Sequence, residues 1–357
     1  MVNDERLKIK PDWDEAVARM RNWWTGKPTD RAVAAVYAPK AGVVRRPSRD
    51  AVPGKYTDFE TIAWNFEASL DSTFYGGEAF PCHWIYHGPV PMSAYFGGEP
   101  EFRPDTVWYA PRYDNWEAAR TWAFDPGNRW WQMALDLTRR SLERARGRYL
   151  VSGCGLSGLA DVIANLWGVE ATLMQAAVEP ETIVGLLQRM VAAFRKMHDD
   201  LYEMTRPYQD GSFDWRRTWA PGRMCSLQND ISCMVSPAMF REVFLDEIRQ
   251  EARHVDHTIY HLDGPGAIQH LDALLEIEEL HCVQWVPGAG ASEDPMDWLP
   301  LLRRIQGKGR KVQVSCPPER VGALLSEIDR QAVYLSIYCR DEKSARACLA
   351  ELDRIGG

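Results

Sequence analysis

From Trp131 to the C-terminus the apolar positions switch between two periods, regularly enough to name elements. Residues 131–147, WQMALDLTRRSLERARG, place apolar side chains every three to four positions and predict a helix; RYLVSG at 148–153 then reads as a strand. After a loop, a long amphipathic helix is predicted from Glu179, with Ile183, Leu186, Leu187, Met190 and Phe194 along one face. RTWAPGRMCSLQND at 217–230 supplies a strand or its loop. Ser236-Pro237 opens the next helix, serine as cap and proline in the first turn, where its missing N–H leaves no bond unmade.

Four strand–helix units follow. HTIYHLDG (257–264) precedes AIQHLDALLEI, and HCVQWVPG (281–288) precedes PMDWLPLLRRIQGKG. KVQVSC (311–316) precedes PERVGALLSEI, and AVYLSIYC (332–339) precedes EKSARACLAELDRI. Apolar, β-rich strands alternating with polar-faced helices mean βαβ units and a parallel sheet. Either an open doubly wound sheet or a (β/α)8 TIM barrel accommodates them. No GxGxxG follows the first clear strand and no Walker loop occurs. His261, Asp263, Trp285, Cys316, Tyr338 and Cys339 all fall at or just past C-terminal strand ends, which in a barrel converge on one face. The expected fold is therefore an α/β (β/α)8 barrel with an N-terminal Trp-rich elaboration. It is expected to be a single domain over 1–357, with 1–130 holding the cap and the first barrel unit, which includes a helix from Glu15 to Trp24 and a strand from Arg31 to Ala38.

Ten of the fifteen tryptophans stand at or before Trp131, expected mainly as packing of the cap, with some able to line a ligand pocket. With 42 Lys+Arg against 50 Asp+Glu the net charge is −8, so there is no basic excess to neutralise phosphates, and nucleic acid and anionic membranes are excluded as partners. No run approaches the roughly 20 apolar residues of a membrane span, and MVNDERLKIKPDWDE is too charged for a signal-peptide core; a cytoplasmic protein is expected. Eight scattered cysteines without a CxxC pair read as reduced thiols. Acidic barrels of this size often dimerise, and a homodimer stays open.

His261 and Asp263 lie two apart on one strand, so their side chains share a face. An imidazole and a carboxylate so placed bind a metal or work as a proton-transfer pair, unless Asp263 only caps its loop. Cys339, ending the last strand, would complete three ligands and leave a position open, as at a catalytic zinc; Cys316 competes for that role. Asp230 is a candidate general acid/base or substrate anchor. Arg216, Arg217 and Arg223 could grip a substrate carboxylate, or simply pair with Asp214. Trp285 and Tyr338 could stack on a substrate. No GxSxG or HExxH is present, which leaves acyl-enzyme chemistry unsupported.

Three stretches, GKPTDRAVAAVYAP, QNDISCMVSPAMFREVFLDEI and YHLDGPGAIQHLDALLEI, resemble the uroporphyrinogen decarboxylase superfamily over roughly 15–355. The likeness is nearer its cobalamin-dependent methyltransferase branch than the porphyrin decarboxylases. In that branch zinc is held by a His-x-Cys pair and a distant cysteine. The resemblance maps these onto His261 and Cys339, with Asp263 where the middle cysteine stands, a harder ligand that alters metal preference. The decarboxylases' arginine-rich segment has no counterpart, and Glu78 in FYGGEAF stands only near the place of their aspartate.

The resemblance implies methyl or alkyl transfer between a corrinoid and a small molecule, with a divalent metal, zinc first, on His261, Asp263 and Cys339. A separate corrinoid protein is an implied partner. The alternatives are a metal-free lyase or decarboxylase on a small carboxylate, using the arginines with Asp230 or Asp263, and a non-catalytic ligand-binding barrel.

Overall fold

The computed structural model describes residues 5–356. Its main sheet contains β1 (Val33–Pro39), β2 (Thr73–Gly77), β5 (Met224–Gln228), β6 (His257–Asp263), β7 (Cys282–Val286), β8 (Lys311–Ser315) and β9 (Val333–Tyr338). They run in the order β2-β1-β9-β8-β7-β6-β5. Only β2 is antiparallel, lying along the outer edge of β1. Two further parallel strands, β3 (Cys82–Trp84) and β4 (Leu150–Ser152), pair with each other alone.

The mixed α/β architecture matches expectation, but the hydrogen-bonded sheet does not close. At β4 and at β1 the backbone groups that would continue the ladder are met by something other than a parallel strand. On β4 the side-chain amide of Gln209 mimics a peptide group: it donates to the Val151 carbonyl at 3.0 Å and accepts from the Val151 N–H at 2.8 Å. On β1, β2 takes the free edge, and the buried Glu78 carboxylate accepts from the Ala34 N–H at 2.8 Å. Glu78 also binds Arg19 and Arg31, so its place is structural.

The strands divide their side chains by parity. Leu262, Val283, Trp285, Val312, Val314, Leu335 and Ile337 pack outward against Leu271, Leu274, Leu302, Ile305 and Leu324 of the covering helices. The inner face carries Val33, Ala35, Ile259, Cys282 and Tyr334, covered by Trp13, Trp23, Trp24 and Trp219. Those tryptophans are packing; Trp84 alone of the early set borders a cavity described below.

The stretch expected as loop before Glu179 holds two helices, Leu159–Trp167 and Val169–Val178. In the first, every residue but Asn165 is buried, so no polar face betrays its period. All eight cysteines are free thiols. No helix among the described residues is long and apolar enough to cross a membrane.

Candidate metal and proton-transfer site

Register builds the site. Gln228 of β5, His261 of β6, Gln284 of β7, Gln313 of β8 and Tyr334 of β9 stand side by side across the inner face. Polar groups there need partners, and the segment 214–218 crossing the inner face provides them. The Gln284 carbonyl oxygen accepts from the Arg216 guanidinium. Gln313 donates to the Thr218 hydroxyl at 3.1 Å, and the Tyr334 hydroxyl donates to the Arg217 carbonyl at 3.1 Å. Asp214 holds the segment's turn, accepting from the N–H groups of Arg216 and Thr218 at 3.1 and 3.3 Å and from the Ser226 hydroxyl. Burial pushes its carboxyl up to about 6, against the pull of Arg216.

Two residues beyond Gln228 and His261, the strand ends present Asp230 and Asp263. One ligand atom each from Asp230, His261 and Asp263 lies within 4.8 Å of the others. His261 Nε2 is 4.0 Å from Asp263 Oδ2, while Nδ1 lies 2.8 Å from Gln284 Oε1. The tautomer follows. Arg216 can only donate, so the atom it meets on Gln284 is the carbonyl oxygen, and that oxygen can only accept from Nδ1–H. Burial, then the Arg216 charge, holds the imidazole near 3, so it is neutral at pH 7. Nε2 therefore faces the carboxylates as a lone pair, the form that binds a metal or takes a proton.

A third carboxylate stands behind. Asp161, on the buried helix Leu159–Trp167, accepts from the N–H groups of Asp230 and Ile231 at 2.9 and 3.0 Å and fixes the turn that carries Asp230. Gly158 lets it approach: its φ is +75°, and a Cβ there would sit 2.9 Å from Asp161 Oδ2. Desolvation, with the charges of Asp161 and Asp263, pushes the Asp230 carboxyl up to about 7. Asp161, Asp230 and Asp263 stand close together, with Arg216 facing Asp230 and His261. One neutral imidazole and two carboxylates are a donor set that fits a divalent ion of the zinc or manganese class, harder than a thiolate set.

The other expected residues disperse. Arg216 is buried at the site, with Nη2 unpartnered. Arg217, at φ +61°, lies over the Tyr37 ring at 5.2 Å and borders a neighbouring cavity of about 340 Å³ with Tyr56 and Trp84. Arg223 precedes β5, at the opposite end, paired with Asp199 at 3.3 Å, so no three-arginine fork exists. Trp285 packs on Trp298, centroids 4.7 Å apart, and Tyr338 stacks on Tyr37 at 5.4 Å; both border a cleft of about 1250 Å³ that also touches Asp263.

Cys339 stands outside the ligand group. Tyr334 faces inward, so Tyr338 does too and Cys339 points to the other face, where its thiol meets Cys348. Cys316 is turned away likewise, one residue past the inward Ser315. Asp230 takes the third place. Asp161, Gln228 and Gln284 belong to the site beyond the residues expected from sequence; the glutamines stand out as polar residues inside otherwise apolar strands, whereas Asp161 carries no signal.

No family model matches the chain, and no curated protein matches it. Among solved structures, a methyltransferase from Methanosarcina mazei superposes with a TM-score of 0.64 over 96% of this chain and 99% of that one, at 13% identity. At that identity the likeness is one of architecture: the chain has a methyltransferase-like α/β fold.

Proposed function

We propose that the chain is a metal-dependent methyltransferase related to the uroporphyrinogen decarboxylase superfamily, its eight parallel strands a variant of the (β/α)8 barrel with an interrupted ladder. It would move a methyl or alkyl group between a corrinoid, presented free or by a corrinoid protein, and a small molecule in the cleft beside Asp263. The observation that carries this reading is the group Asp230, His261 and Asp263, with the His261 lone pair held toward the carboxylates. A divalent ion there would lower the pKa of a bound acceptor and make it nucleophilic at neutral pH. The chain's own part is to hold His261 through Gln284, place Asp230 through Asp161, and offer Trp285 and Tyr338 at the cleft. Cys339 is not among the proposed ligands.

The test is elemental analysis of untagged protein beside His261→Ala and Asp263→Asn, followed by spectroscopic assay of methyl transfer between methylcobalamin and small thiols or amines. Near-stoichiometric transition metal lost in both variants, with transfer lost alongside, supports the reading. No metal after reloading and no transfer overturn it.

A metal-free lyase is the second reading, favoured by one observation: Arg216 keeps an unpartnered buried donor beside Asp230, whose carboxyl lies near 7. Such an arginine suits a substrate carboxylate, and such an aspartate suits proton transfer. Turnover that survives chelation and is lost in Arg216→Lys would favour it.

A further inference from the structure

A second cluster lies at the other end of the sheet, where the strands begin. His198 and Asp199 belong to the helix Pro180–Thr205, and His254 follows the helix Leu245–Ala252. One ligand atom from each lies within 4.8 Å of the others. His198 Nε2 is 3.1 Å from the carbonyl of Met224, the first residue of β5. About 13 Å of strand separates that residue from Gln228 in the site above.

The carbonyl can only accept, so Nε2 carries the hydrogen and Nδ1 is a lone pair. Nδ1 is buried and has no hydrogen-bond partner. An unpaired buried acceptor is costly, and a backbone carbonyl behind the far nitrogen is the outer-shell support that metal-bound histidines have. His254 Nε2 meets Asp199 Oδ1 at 3.0 Å, and the two imidazoles stand at 86° with centroids 5.7 Å apart. Arg223, lying over Tyr202, holds the same carboxylate at 3.3 Å and orients it. Asp199 is 44% exposed, which provides an entry path and room for water as a fourth ligand.

We propose that His198, Asp199 and His254 form a second divalent-metal site of the zinc class, independent of Asp230, His261 and Asp263. Two imidazoles and one carboxylate are a recognised zinc donor set. The ion would tie the helix Pro180–Thr205 to the segment after Leu245–Ala252 and so act on stability.

The test titrates Co2+ and Zn2+ into metal-stripped full-length protein. The His261→Ala, Asp263→Asn double variant, lacking the first site, should still bind one equivalent and melt at a higher temperature with metal than without. Adding His254→Gln to it should weaken binding at least about tenfold and remove the metal-dependent rise. In the otherwise unaltered chain, His254→Gln should lose one equivalent, which keeps the result readable if the double variant does not fold. The proposal is overturned if the double variant folds and binds no metal, or if adding His254→Gln to it leaves its metal affinity unchanged; where the double variant does not fold, an unchanged number of equivalents in the His254→Gln single variant overturns it. None of these results depends on whether the first site holds metal or transfers methyl groups.

Discussion

Gln284→Leu isolates the feature on which the site's chemistry turns. The leucine fills nearly the same volume but removes the oxygen that accepts from both His261 Nδ1 and Arg216. Two donors are then left unpaired, one on a neutral imidazole whose side chain is 12% exposed and one on a buried guanidinium. An unmet buried donor costs about 1–3 kcal/mol, more when charged, so a loss of about 2–5 kcal/mol is expected in chemical denaturation. Nothing then holds the hydrogen on Nδ1, and transition-metal affinity should fall by about 10- to 100-fold, the usual cost of losing an outer-shell partner. A long-range 1H–15N spectrum reports the tautomer directly: Nδ1–H for His261 in the parent, a mixture in the variant. Gln284→Glu keeps the acceptor and should keep the tautomer. Gln284→Leu with parent-like stability, tautomer and metal affinity would refute the reasoning.

Three further outcomes are expected. Glu251 is buried without a hydrogen-bond partner, and burial pushes it up to about 8, so the folded state favours the protonated acid. Stability should therefore be greatest below about pH 4.5 on this account and decline as pH rises toward 8, and Glu251→Gln should stabilise the protein by on the order of 2–4 kcal/mol at pH 8 but little at pH 5, read from denaturation midpoints at the two pH values. Glu78→Ala removes the buried acceptor of Arg31, Arg19 and the Ala34 N–H, at 3.0, 2.6 and 2.8 Å, while Asp353 and Asp30 still pair the two arginines, and should cost about 1–3 kcal/mol in the same assay. Gly158→Ala should cost about 1–3 kcal/mol through its positive φ and the contact with Asp161, and weaken metal binding at the Asp230 turn; unchanged binding would remove Asp161 from the account of the site.

Helices and strands with a polar side were legible because their period is local. Trp13–Thr25, Arg129–Ala145 and Pro180–Thr205, and each strand from His257 onward, fall close to where the pattern puts them. The helix Leu159–Trp167 was not legible, because burial on all sides erases the period, and Asp161 went unseen with it. The short strands β3 and β4 carry three residues each, too few for any alternation to register.

The sequence by itself determined that His261 and Asp263 share one face, since a strand alternates its side chains whatever surrounds it. Which residues from other strands join the pair was decided only by tertiary structure. The register that sets His261 against Gln228 and Gln284 brings Asp230 up beside Asp263 and supplies the oxygen that fixes the imidazole. The same packing sends Arg216 to the inner face and Arg223 to the far end, although seven residues separate them in the chain. Neighbours along a strand follow from covalent geometry; neighbours across strands follow from pairing, and pairing is a property of the whole fold.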